Sequence, residues 1–76
     1  MKYIQHKTYG FIVFPNEILH DEMAESLVWP KEDIESAGLV THMSNTLHCF
    51  GVSATLMIGS RDSDTDDLHE QLRKLP

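Results

Sequence analysis

The chain has 76 residues, with 12 Asp and Glu against 6 Lys and Arg and a formal net charge of −6. A chain of this size buries only about 60% of its unfolded surface and makes one domain, here residues 1–76. The acidic balance disfavours direct contact with nucleic acid or an anionic membrane and favours a protein partner with a basic surface, while a lone cysteine, Cys49, excludes an internal disulfide and a Cys-rich zinc site.

Lys2 is followed by a short alternating run rather than an apolar block of about 7 to 15 residues, so no signal peptide is expected and the protein is read as cytoplasmic. Lys2–His6 and Phe11–Phe14 read as two strands, with Lys7-Thr8-Tyr9-Gly10 as the turn and Gly10 able to take positive φ. Pro15 closes the second strand, and Asn16 is a good N-cap for a helix from Glu17 to about Leu27. Leu19, Met23 and Leu27, with Ile18 beside them, form the stripe expected to face the sheet. That helix has to end near Val28, because Trp29 precedes Pro30 and a pre-proline residue is pushed out of the α region. Pro30–Glu35 then suits one helical turn terminated by Gly38.

From Ser36 to Ser60 there is no Asp, Glu, Lys or Arg, which marks the segment as the centre of the core. His42, Ser44, Asn45, Thr46, His48, Ser53 and Thr55 interrupt it too often for a membrane span. Leu39–Met43 and Leu47–Phe50 pair across Ser44-Asn45-Thr46, Gly51 bends the chain, and Ser53–Ile58 alternates as a last strand with Ala54, Leu56 and Ile58 on one face. A terminal helix starts around Asp64, with Asp66 and Asp67 at the positive end of its dipole and Arg73 and Lys74 at the negative end. Its buried stripe is Leu68, Leu72 and Leu75.

The order ββα, connector, βββ, α predicts an α+β domain: a small antiparallel sheet of four to five strands with the two helices on one face. The other face is then partly open. Ile12, Phe14, Val40 and Phe50 are its candidate residues, and it offers a homodimer surface.

Glu17, Asp21 and Glu25 fall at i, i+4, i+8 on the first helix, with Glu22 at the edge of the same face. Like charges at that spacing cost about 0.2–0.5 kcal/mol per pair. A solvated outer face accounts for the pattern, and so does a stripe that docks on a basic partner. Glu25, two turns in, gains least from the dipole and favours the second reading, which makes Glu17, Asp21, Glu22 and Glu25 the candidate partner-binding residues.

Asp62-Ser63-Asp64-Thr65-Asp66 opens like a calcium loop, but its sixth position is Asp67 instead of Gly and its twelfth is Arg73 instead of Glu. These acids read instead as caps, with Ser63 or Asp64 as the N-cap. A three-residue turn at 44–46 sets His42 opposite His48, yet no third ligand presents itself, so no metal and no cofactor is expected. His20 and His69 read as surface residues. Cys49 and His48 are strand neighbours that point to opposite faces, so they form no dyad, and Cys49 reads as a small core residue. Gly51-Val52-Ser53-Ala54-Thr55 has Thr55 where a nucleophile elbow needs its second Gly, and the chain is read as no enzyme.

Tyr9-Gly10-Phe11-Ile12-Val13-Phe14-Pro15, Ser36-Ala37-Gly38-Leu39-Val40 and Gly59-Ser60-Arg61-Asp62 resemble, in size and texture, small proteins encoded by phages and prophages. What the resemblance implies is a protein that binds a host protein, defence nucleases such as those of CRISPR systems included. It transfers no functional residue. The expected function is a small acidic protein-binding module, a phage-encoded inhibitor or modulator of a nucleic-acid-binding or defence protein. The alternative is a self-associating structural or assembly subunit of a phage or bacterial complex.

Overall fold

The structure, a computed structural model, describes residues 1–75. Strands β1 (Lys2–His6) and β2 (Gly10–Phe14) form a hairpin whose three-residue turn is closed by Gly10 at φ +82°, a conformation costly for any residue with a Cβ. Then come α1 (His20–Ser26), one 3₁₀ turn (Lys31–Asp33), β3 (Ile34–Met43), β4 (Thr46–Phe50), β5 (Val52–Ser53), β6 (Ile58–Gly59) and α2 (Asp64–Arg73). The first four strands make an antiparallel sheet in the order β2-β1-β3-β4, and β5 with β6 make a separate two-stranded one. The ten residues of β3 serve two partners, β1 along Ile34–Leu39 and β4 along Leu39–Met43. The small β5–β6 sheet packs against β3.

The α+β class and the antiparallel sheet are those read from the sequence, but the helices do not share a face. Adjacent strand residues point to opposite sides, and β1 buries both Tyr3 and Ile4. Ile4 packs with Phe14, Ile34, Ala37, Leu56 and Ala24 of α1. Tyr3 packs with Val40 and Leu68 of α2. One helix therefore packs on each face, and neither face is left without a helix. Phe14 and Val40 are buried in different cores and Ile12 packs against the first, which leaves only Phe50 exposed among the four candidates, at 45%.

α1 starts three residues after the expected Glu17. The Pro15 carbonyl accepts the Ile18 N–H (3.2 Å) and Lys2 Nζ donates to the Ile18 carbonyl (2.9 Å), so residues 16–18 are held in a turn. The Asp21 N–H, an orphan of the first helical turn, is taken by Thr55 Oγ1 at 3.1 Å. With this start the inward pair is His20 and Ala24, while Leu19 of the expected stripe is exposed.

His20 is inside because its polar atom has a partner: Nε2–H donates to the Gly38 carbonyl (2.8 Å), and the ring meets Phe14 edge-on at 5.4 Å. Burial pulls its pKa below the usual value, against the opposing pull of the Gly38 carbonyl. The unfolded chain thus takes up this proton first as pH falls. Its contribution is present above the ordinary pKa and is lost as pH drops from about 6.5 toward the folded value. Urea midpoints measured at about pH 7.5 and pH 5 should fall toward the acid side, and His20→Gln should lose that part of the slope. Equal slopes in both proteins would remove His20 from the account.

Three further expectations change. Gly38 ends no helix; it lies within β3, opposite Tyr3. Ser53–Ile58 is no strand, because Ser53 Oγ accepts the Leu56 N–H (3.2 Å) and closes a turn over residues 54–57, with Met57 at φ +57°. The β3–β4 turn has two residues, Ser44 and Asn45, both at positive φ as type I′ turns require. The charge-free segment is buried at Ser36–Gly38, Val40, Ser53 and Leu56, but its hairpin tip at His42–Asn45 is exposed.

α2 buries Leu68 and leaves Leu72 exposed, and Leu75 of the expected stripe lies beyond its end, also exposed. Its polar side chains reach the backbone of both outer strands. Gln71 takes the Phe11 N–H on Oε1 (2.8 Å) and donates from Nε2 to the Phe11 carbonyl (3.1 Å), as a neighbouring strand would. On β4, Thr65 Oγ1 accepts the Cys49 N–H (3.0 Å) and His69 Nε2–H donates to the Leu47 carbonyl (2.8 Å), so His69 is half-buried and bonded. Both sheet edges are thereby blunted. Among the described residues, no helix is long and apolar enough to cross a membrane.

Candidate functional site

The C-terminal end of α1 is a Schellman motif: the Trp29 N–H bonds the Ala24 carbonyl (2.8 Å) and the Val28 N–H the Glu25 carbonyl (3.0 Å). The motif needs a left-handed residue, ordinarily glycine, and Val28 fills it at φ +57° while 84% exposed. A β-branched residue there is a genuine outlier. Val28→Gly should raise stability by about 0.5–1 kcal/mol, the relief of the left-handed cost less the extra entropy of glycine. Thermal melts would show it, and a loss of stability would mean that Val28 makes contacts worth more than its strain.

Val28, Trp29 and Pro30 form one side of an open groove of about 480 Å³, with Ala24 and Leu56 in its floor. Trp29 packs on the α1-side core and is backed by the rings of His6 (4.6 Å) and Tyr9 (6.1 Å, 14° between planes). His6 in turn is set by two backbone donors, the N–H groups of Thr8 (3.0 Å) and Tyr9 (3.2 Å), which both bond Nδ1. Its proton therefore sits on Nε2, 4.0 Å from Asp33. Asp33 also pairs with Lys7 at 2.7 Å. The wall of the groove is thus preset.

Asp21 and Glu25 line the same groove. They stand at i, i+4 and so share one helix face. The other two acids of the expected stripe do not join them. Glu17 lies in the turn before α1, and Glu22 is used within the chain, its Oε1 accepting the Leu19 N–H (3.2 Å). Three cations pair with other acids: Arg61 with Glu35 (3.0 Å), Asp64 (3.4 Å) and Asp67 (3.9 Å), and Arg73 and Lys74 with Glu70 (2.9 and 3.8 Å). Among the described residues no salt bridge reaches Glu17, Asp21, Glu22 or Glu25, and α1 has no base in its last turn.

The other constellations resolve into structure. Asp64 is fully buried and accepts from the Tyr3 hydroxyl and from the Arg61 N–H (3.0 Å) and Nε (3.4 Å), so it is an internal anchor and not a loop ligand. The two-residue turn pairs His42 with Leu47 and His48 with Thr41, which puts the two imidazoles on opposite faces. Among the described residues, no group of three His, Cys, Asp or Glu is placed to hold a metal ion. Burial, helped by the charge of Asp64, pushes the Cys49 thiol up to about 11. It stays a thiol at neutral pH and is a poor nucleophile.

Val28, Trp29 and Leu56 were not among the candidate site residues. The available signal was the bulky run Leu27-Val28-Trp29 at a helix end with no glycine to receive the αL position. Comparisons of the chain with protein-family models, curated proteins and solved structures found no match.

Proposed function

We propose that this protein is a small acidic protein-binding module that docks the outer face of α1 on a basic surface of a host protein. In this reading it is a phage-type inhibitor or modulator working in the cytoplasm, and a nucleic-acid-binding or defence protein is the natural class of partner, since such a surface otherwise meets phosphates. The observation that supports it is the pair Asp21 and Glu25, exposed on one face beside an apolar groove with no salt bridge to either among the described residues. A helix spends stability on like charges at this spacing, and a complementary partner offsets it.

The test is capture from host lysate on the immobilised chain, at low and high salt, for the wild type and for Asp21→Lys/Glu25→Lys. A stoichiometric basic partner should be retained at low salt, released at high salt and lost in the variant, whose circular dichroism stays native. Retention unchanged by the charge reversal would sink the proposal.

A further inference from the structure

We infer that the groove of Ala24, Val28, Trp29, Pro30 and Leu56 is the anchor pocket of that interface, and that it takes one bulky apolar side chain flanked by lysine or arginine. This rests on the docking reading above and adds what the charges alone leave open, the chemistry of the bound segment. Three observations converge on it. The lining is apolar except for Asp21 and Glu25, so an apolar group seated in it carries neighbouring cations to carboxylates on α1. The wall is held in advance, with Trp29 braced by His6 and Tyr9 and the end of α1 closed by two backbone bonds, which lowers the ordering cost of binding. Val28 keeps an unfavourable backbone and an exposed side chain at the groove, where glycine would be easier for the fold but would remove one of its apolar lining groups.

The partner contact has the anatomy of a hot spot: a desolvated apolar centre and a charged rim. The centre supplies most of the affinity. The rim sets the choice of partner and the salt dependence.

Amide chemical-shift titration of the ¹⁵N-labelled chain tests this with three capped pentapeptides. The first has one phenylalanine between two lysines on each side, the second replaces the phenylalanine with serine, and the third replaces the lysines with glutamates. The first should shift Ala24, Val28, Trp29 and Leu56 saturably and bind about tenfold tighter than the second, the worth of one buried side chain. Val28→Gly, with its fold intact, should weaken the first by about fourfold, the worth of one methylene removed from water.

Equal shifts from the first and second peptides, confined to Asp21 and Glu25, would overturn the anchor pocket and leave the charge reading standing. Equal binding of the first and third would show a groove indifferent to charge and overturn both. Silence from all three would overturn the anchor pocket, and the salt-dependent capture would judge the charge reading by itself.

Discussion

Asp64→Ala is expected to lose about 2–5 kcal/mol, at about 1–3 kcal/mol for each buried donor left without its acceptor. A chain of 76 residues at about 0.05–0.15 kcal/mol per residue has about 4–11 kcal/mol in all, so the variant should lose a large fraction of its stability and unfold at a clearly lower urea midpoint. The carboxylate is fully buried and leaves two kinds of donor behind: the Tyr3 hydroxyl, itself buried, and the N–H and Nε of Arg61. Arg61 is 44% exposed and water can satisfy much of its guanidinium, so most of the loss lies with the Tyr3 hydroxyl, the Arg61 amide and the cavity. Burial, with the nearby carboxylate, raises the Tyr3 pKa well beyond the ordinary phenol range, so the hydroxyl keeps its proton and remains a donor. Tyr3→Phe removes that one bond but keeps Arg61 on Asp64, and should cost less, about 1–3 kcal/mol. Urea melts followed by circular dichroism and Trp29 fluorescence decide it. A wild-type midpoint for Asp64→Ala would show that the buried carboxylate contributes nothing to folding.

Gly38→Ala is the second large effect, although the change is one methyl group. A Cβ at this position would sit 2.4 Å from the Phe50 carbonyl oxygen, 3.2 Å from Tyr3 Cε1 and 3.3 Å from the Gly51 carbonyl oxygen. Two of these atoms are backbone at the corner where β4 leaves β3, and neither can rotate away. The corner has to open, at a cost of about 1–3 kcal/mol or more. Gly59→Ala is the control, because its Cβ would meet chiefly Val52 Cγ1 at 3.3 Å, the end of an exposed side chain that can move. That change should stay within about 0.5 kcal/mol. Hydrogen exchange should show faster opening around Phe50 and Gly51 in Gly38→Ala alone; equal loss in both variants would place the effect in glycine itself and not in the contact.

Local chemistry was legible where it is dictated by few residues. Gly10 announced its turn, Pro30 announced the end of α1, and the acids and bases of α2 marked both of its ends. The placement of the helices was not legible, because it depends on β1 being apolar on both faces: Tyr3 and Ile4 are neighbours, and five residues are too few to separate a two-sided strand from an alternating one. The start of α1 was decided by Lys2 and Thr55, residues distant in the chain that hold the Ile18 carbonyl and the Asp21 amide. A one-residue difference in the β3–β4 turn turned His42 and His48 to opposite faces. Of the four acids proposed for binding, Asp21 and Glu25 share one face of α1, as their spacing requires. Glu17 precedes the helix because the cap lies at Leu19 and not at Asn16, and Glu22, on the helix, bonds the cap's N–H.

The side chains of α2 that bond Phe11, Leu47 and Cys49 have a consequence for synthesis. α2 is the last helix in chain order, so a nascent or truncated chain ending before Asp64 would present its outer strands with those backbone groups vacant. Such a species is a template for intermolecular strand addition, and its hazard lasts only until the helix emerges and docks. Gln71, Thr65 and His69 thus act as a closing clasp, and the time before they engage sets the window in which this protein is open to aggregation.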